Sequence, residues 1–451
     1  MMKMKQTNLD LSDLNYDDDK LVQLVGKYTD DSLNFWDFSS SDTKELTHGY
    51  HGYPAMMIPQ LVQNFIKIIK EIQDVKTIYD PFTGSGTTLV EGIVNDIDSF
   101  GNDLNPLSRL ISKVKTTPID PKTLSYYQTE QIDALKDEIS LYREVGFDVP
   151  HRPTFDKLDF WFKDNVIDEL QIIKSSIKSI NDVDVRDFFM VCFSYTVRQV
   201  SNTRNSEFKL YRMQAEKLKT WNPDVLDVFL KKVTHNIEKN KELFNEMKNK
   251  NAKATVYNLN SMDLRSLEDN KFDFLVTSPP YGDSSTTVAY GQYSRLSLQW
   301  LDLKETNDKL IRSLDKNLLG GITKKGDEIF DLGSPTLTKI INQLMEIDKK
   351  RATEVFNFYK DLDVSMSEVA RIMKKNSYQF WVVGNRTVKK IKIPTDQIII
   401  EMFEKHNIKH VTTFHRNIPK KRMPKKNSPT NEKGMLVSTM NQEIIFVMRK
   451  M

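Results

Sequence analysis

The chain holds a single cysteine, Cys192, inside "FFMVCFSYTV". One cysteine excludes an intrachain disulfide and a cysteine-rich zinc site. In that apolar setting it reads as a small core hydrophobe. The seven histidines show no metal-ligand spacing, so no metal is expected, and His48 and His51 read as packing or capping residues. No run approaches the roughly 18 apolar residues of a membrane span. The opening "MMKMKQTNLDLSDLNYDDDK" has no apolar stretch of the signal-peptide kind, so a cytoplasmic protein is expected. Charge of one sign is scarce too: 65 Lys and Arg against 62 Asp and Glu leave +3, so any basic surface must be local. What is present is 39% hydrophobic and 28% charged residues, enough for a substantial core.

Residues 1–34 read as a polar, loose segment. Pro59 suits the first turn of a helix, and Leu61, Val62, Phe65, Ile66, Ile68 and Ile69 follow at helical spacing. "VKTIYDPFTGSGTTLVEGIV" then gives a short buried strand, a Gly-rich turn and a helix, and "DSFGNDLNP" a second strand. This is the opening of a doubly wound, Rossmann-like α/β sheet. Helical periodicity fills 121–250, which reads as an insertion. Strand signals return in "ATVYNLNSMDL", "FDFLVTSPPYGD", "SYQFWVVGN", "IKHVTTFHR" and "EIIFVMRK". The segment 283–350 is mixed and without a clear period. The core is therefore expected in 35–120 and 251–451.

Three stretches carry chemistry. In "DPFTGSGTT", Gly84 and Gly86 let the backbone pass close to a ligand at a strand-to-helix turn, where the helix N-terminus favours an anion. No lysine follows, which excludes a Walker A loop. Asp103 comes twenty-three positions after Asp80, at the end of the next strand, a spacing that suits a ribose diol. Asp263 in "NSMDL" stands after the third strand and is a candidate partner for an adenine amine. In Ser278-Pro279-Pro280-Tyr281 the prolines fix the backbone, so a hydroxyl and two carbonyls can accept the hydrogens of an –NH2 group while Tyr281 offers a face for a flat ring.

"DPFTGSGTT" together with "TSPPY" resembles the bacterial DNA amino-methyltransferases of restriction–modification systems. "HGYPAMMIPQLVQNFI" is similar to the block that packs over the methionine end of the cofactor in that family. The resemblance implies S-adenosyl-L-methionine as cofactor, double-stranded DNA as substrate and a cognate restriction endonuclease as partner. It implies that Asp80, Phe82, Gly84 and Gly86 hold the methionine part, that Tyr53, Pro54, Ala55 and Met56 belong to the block packed over it, and that Pro81 and Thr87 also bind the cofactor. Asp103 then holds the ribose and Asp263 approaches the adenine, while Ser278, Pro279, Pro280 and Tyr281 form the catalytic clamp. The serine before the prolines points to cytosine N4 over adenine N6. An RNA amino-methyltransferase and an inactive DNA-binding subunit stay open as alternatives. The cofactor block precedes the catalytic block, whereas many "SPPY" relatives have the reverse order. The target-recognition region is therefore expected in 121–250, in 283–350 or in both.

Two basic stretches are candidate DNA contacts. One holds Arg204, Lys209 and Arg212 in "RQVSNTRNSEFKLYRM". The other is "FHRNIPKKRMPKKNSPTN", with Arg416 and then Lys420, Lys421, Arg422, Lys425 and Lys426, five basic residues in seven between two core strands.

Overall fold

A computed structural model describes residues 11–31, 34–205, 207–284, 286–323, 327–418, 426–427, 437–438 and 442–451. Seven strands share one sheet: β1 (Thr77–Asp80), β2 (Asp98–Asn102), β3 (Ala254–Tyr257), β4 (Phe272–Thr277), β5 (Met373–Val383), β6 (Ile408–Asn417) and β7 (Gln442–Lys450). Their spatial order is β3-β2-β1-β4-β5-β7-β6. The first five are parallel, and β7 lies antiparallel between β5 and β6. The chain leaves β1 outward to β2 and β3, then crosses back to β4. The crevice at the carboxyl ends of β1 and β4 is therefore the topological switch point, where open α/β sheets bind ligands.

The helices are α1 (Leu11–Asp31), α2 (Pro59–Lys70), α3 (Thr87–Val94), α4 (Pro106–Lys115), α5 (Pro121–Val145), α6 (Leu158–Trp161), α7 (Asp164–Lys178), α8 (Val183–Val200), α9 (Ala215–Thr220), α10 (Val225–Met247), α11 (Tyr290–Leu301), α12 (Asp308–Asn317), α13 (Pro335–Ile347), α14 (Lys349–Ile372) and α15 (Thr395–Glu404). One sheet face packs Ile78, Phe274, Val276 and Phe380 against Leu61, Phe65 and Ile69 of α2. The other packs Tyr79, Leu275, Trp381 and Phe446 against α14 and α15. The alternation along β4 follows from the two-residue strand period.

Residues 1–34 are not a uniformly loose segment. Helix α1 buries Leu21 and Val25 against the α2 face. Its Asp18 is buried as well, accepting from Tyr378 Oη at 2.9 Å and facing Arg449 Nη2 at 3.2 Å. The polar sequence concealed a helix whose buried acid is satisfied by the sheet. The 283–350 stretch, which has no clear period in sequence, holds α11, α12 and α13. α11 and α12 join a third core with α4, α5, α7, α8 and α10. Cys192 sits in that core, its thiol pushed up to about 12 by burial.

A buried polar cluster lies where α3, α4 and the 46–51 loop meet. His48 Nε2 lies 2.7 Å from Glu91 Oε1, with the Lys115 ammonium nearby. Burial raises the Glu91 carboxyl to about 8 and lowers Lys115 to about 7. An acid raised in the folded state contributes stability that is present below its unfolded value of 4.5 and is lost as pH rises through about 8. Glu91→Gln keeps a hydrogen-bonding partner for His48 and removes this titration. The melting temperature of the variant, compared with wild type, is expected to gain least at pH 5 and increasingly up to about pH 8. A constant difference across that range would refute the assignment.

Candidate active site

The carboxyl ends of β1 and β4 are joined directly. Thr277 Oγ1 donates to Asp80 Oδ1 at 2.7 Å, and Phe82 N donates to the same oxygen at 3.0 Å. Burial still raises the Asp80 carboxyl to about 6 against these bonds. The chain then turns through Gly84 and Gly86, at φ +52° and +78°, into α3. Both angles lie in the left-handed region that glycine enters at no steric cost. A Cβ on Gly86 would also stand 2.9 Å from Ser112 Oγ. The Gly84 carbonyl accepts from Ser108 and Ser112 of α4, and its N–H donates to Asp103 Oδ2 at 3.0 Å. Asp103 Oδ1 accepts from Asn105 N at 2.8 Å. Burial raises Asp103 above the usual carboxylate range, and its backbone bonds oppose the shift.

These groups line a cavity of about 880 Å³, counted out to its mouth. Tyr53, Pro54, Ala55, Met56, Asp80, Pro81, Phe82, Gly84, Thr87 and Asp103 all face it, as do Ser278 and Pro280. Asn105, the N-cap of α4, donates to Tyr53 Oη at 2.9 Å and to Ser294 Oγ at 2.7 Å, so it fixes the tyrosine that leans over Gly84. Tyr290 stacks on Tyr53 with ring centroids 5.9 Å apart.

Asp263 does not face the cavity. The turn after β3 closes with Asp263 N bonded to Asn260 O at 2.8 Å, and this sends the carboxylate outward. There Arg265 grips it with two bonds of 2.7 Å and holds it at about 2, below the usual carboxylate range. Leu259, Asn260 and Ser261 line the cavity instead. Nothing in the sequence singled out Asn260, since Asn258 is the first polar residue after the strand.

The clamp stands at the end of β4. Ser278 Oγ lies 3.3 Å from Tyr281 Oη, and Tyr281 Oη donates to Glu443 Oε1 at 3.3 Å. Burial, and next the Glu443 charge, push the phenol well above its ordinary range, so it stays a donor. Glu443 is in turn paired with Arg416. Arg416 is therefore not an exposed DNA contact. It is buried, with Nε donating to Trp36 O at 3.0 Å, and its strand register on β6 turns it into the fold. Sequence reasoning missed Glu443 entirely, because nothing local in "NQEIIF" marks it.

Of the second basic stretch, Lys420, Lys421, Arg422 and Lys425 lie outside the described residues. Lys426 belongs to a two-residue strand, Lys426–Asn427, paired antiparallel with Val437–Ser438. Arg204, Lys209 and Arg212 lie on one loop, at the start of which Thr203 and Arg212 form an antiparallel bridge.

The fold and cavity define an S-adenosylmethionine-dependent methyltransferase. The cofactor fits the residues present: Ser85 Oγ is buried without a hydrogen-bond partner among the described residues and belongs to the cavity wall. Asp80 and Asp103 can face an ammonium and a ribose, and Asn260 and Ser261 offer polar edges to a base.

No family profile matches the chain. It is 48% identical over 445 residues to the Type II methyltransferase M.MvaI of Kocuria varians, spanning 97% of this chain and 98% of that protein. A second relative, the Type II methyltransferase M.MjaII of Methanocaldococcus jannaschii, is 35% identical over 113 residues, 25% of this chain and 21% of that protein. Among solved structures, a SAM-dependent methyltransferase from Methanosarcina mazei aligns with 8% identity and a TM-score of 0.30, covering 85% of this chain and 97% of that one. That likeness is too slight to bear on function. On the identity to M.MvaI, the chain belongs to the Type II methyltransferases. No helix among the described residues is long and apolar enough to cross a membrane.

Proposed function

We propose that this Type II DNA methyltransferase acts on the exocyclic N4 of a cytosine flipped out of duplex DNA, and that it guards that DNA against a cognate restriction endonuclease. The observation that carries the reading is the neutral hydroxyl of Ser278 at the cavity wall, at the head of a proline-fixed clamp. A hydroxyl can accept from the cytosine amine and also donate to the unprotonated N3 beside it, whereas an ionised carboxylate only accepts.

The cofactor supplies an electrophilic methyl group carried on a cationic sulfur. Asp80, Gly84 and Thr87 would hold its amino-acid end, Asp103 its ribose, and Asn260 with Ser261 its adenine. The aromatic faces of Tyr53 and Phe82 favour a cation in the cavity. On the substrate side, the amine lone pair is delocalised into the ring. Ser278 Oγ and the fixed carbonyls of Ser278 and Pro279 accept the two amine hydrogens, which draws the nitrogen toward tetrahedral geometry and frees the pair. These acceptors need no reorganisation as charge develops. Tyr281 stacks on the flipped base, with its ring held at its hydroxyl by Glu443. Arg204, Lys209 and Arg212 would meet phosphates.

Nucleosides from DNA methylated by the enzyme are expected to contain N4-methylcytosine on mass analysis. N6-methyladenine without N4-methylcytosine would overturn the reading.

A further inference from the structure

The loop from Asn202 to Met213 is built as an arm rather than a connector. Its ends are tied by Met213 N to Asn202 O at 2.8 Å and by Arg204 N to Tyr211 O at 2.8 Å. Its aromatic residues are left outside: Phe208 is 44% and Tyr211 46% exposed, beside Phe160 at 40%. Single exposed rings need no explanation, but three on one small surface with arginines between them do. Arg212 lies 4.2 Å over the Phe160 ring, and Arg204 lies 5.9 Å over Tyr211. The Arg212 guanidinium, stacked on a ring, can turn its in-plane N–H groups outward, the arrangement suited to a phosphate, while Arg204 Nη1 donates to Glu207 Oε1 at 3.4 Å within the arm.

The arm is coupled to the cofactor cavity. The Phe208 ring meets Tyr293 edge-on at 6.2 Å, and Tyr293 meets Tyr53 at 6.0 Å. Tyr53 lines the cavity. Arg198, buried, locks the contact: its guanidinium lies 4.1 Å over Tyr293, Nη1 donates to Tyr293 O at 3.1 Å, and Nη2 donates to Glu207 O in the arm. Tyr293 Oη completes the link by donating to Gly52 O at 2.6 Å. An exposed ring is thus held two rings away from the cavity by a rigid, fully bonded mount.

We infer that this arm engages the duplex beside the flipped base and that Phe208 enters the stack in its place. The inference rests on the reading that the target is a base flipped out of duplex DNA. A base leaving the duplex abandons two stacking contacts, and a flat side chain recovers them without reading sequence. The cationic, aromatic surface matches a polyanion of stacked rings and no apolar protein partner.

The test uses the full-length enzyme and a duplex oligonucleotide carrying the sequence that mapping of modified bases identifies. A second duplex places the target opposite an abasic gap, where unpairing and unstacking are already half complete. Phe208→Ala is expected to raise KM for the paired duplex about tenfold or more, to retain cofactor affinity by calorimetry, and to recover most of the loss on the gapped duplex. Phe208→Trp is expected to stay near wild type. Arg212→Gln is expected to flatten the slope of log affinity against log salt by about 0.9. An unchanged KM for Phe208→Ala, or an equal loss on both duplexes, would overturn the inference. Product masses from the wild-type enzyme test the cytosine reading separately, so either can fail alone.

Discussion

Ser278→Ala is expected to lower kcat by about 100-fold or more while leaving cofactor affinity within about twofold. The size follows from removing one preorganised hydrogen-bonding group aimed at developing charge, which costs about 10²–10³ in turnover. The separation of kcat from binding follows from position. Ser278 sits at the end of β4, while the groups that would hold the cofactor come from β1, α3 and the ends of β2 and β3. Ser278→Thr keeps the hydroxyl and should recover part of the rate. Single-turnover transfer of a labelled methyl group to duplex DNA, set beside calorimetric titration with S-adenosylmethionine, separates the effects. Equal losses in rate and in cofactor affinity would show that Ser278 does not act on the base.

The second large effect belongs to Asp103. Its carboxylate accepts from Gly84 N and Asn105 N and faces the cavity. Asp103→Ala removes charge-assisted bonds of about 1.5–3 kcal/mol to a ligand diol and also leaves two backbone donors without partners. Cofactor Kd should rise roughly 10- to 150-fold, since each 1.4 kcal/mol is a factor of ten. Asp103→Asn, which keeps one acceptor, should fall between. Asp263→Ala is the matched control: its carboxylate is exposed and bound to Arg265, so cofactor Kd should not move. If Asp263→Ala weakened binding as much as Asp103→Ala, the cavity would be wrongly assigned.

The contrast between these two aspartates shows what could be read from the chain. The place of Asp103 was legible because a parallel strand delivers the residue just after its carboxyl end to the cavity rim whatever the side chain does. Asp263 was not, because six residues past the strand end at Tyr257 the backbone has turned, and that turn depends on a hydrogen bond to Asn260 that no spacing rule reveals. The places of Gly84, Ser278 and Pro280 at the cavity were legible because proline and glycine constrain the backbone directly, whereas Gly86, Pro279 and Tyr281 stand next to them in the chain but do not line the cavity. Arg416 and Glu443 were illegible in the opposite sense. One looked like part of a basic stretch and the other like an ordinary strand residue. Their pairing comes from the Glu443↔Arg416 register between β6 and β7, a long-range fact. Helix α1 escaped because its apolar positions are few, and it is held by tertiary docking, Leu21 and Val25 against α2 and Asp18 against Tyr378 and Arg449, rather than by its own propensity.

Strand β7 lies inside the sheet although it follows every other strand in chain order, and β6 reaches the sheet only through it. During synthesis, β1 to β5 can assemble as they emerge, but β6 must wait unpaired until residues 442–450 have left the ribosome. The acid that holds Tyr281 in place arrives with those same residues. A chain interrupted after β5 therefore keeps the glycine loop and Asp103 yet has no brace for the clamp, and it also exposes the edge of β5. The brace on Tyr281 thus depends on residues 442–450, whereas the glycine loop and Asp103 need only strands that precede them in the chain.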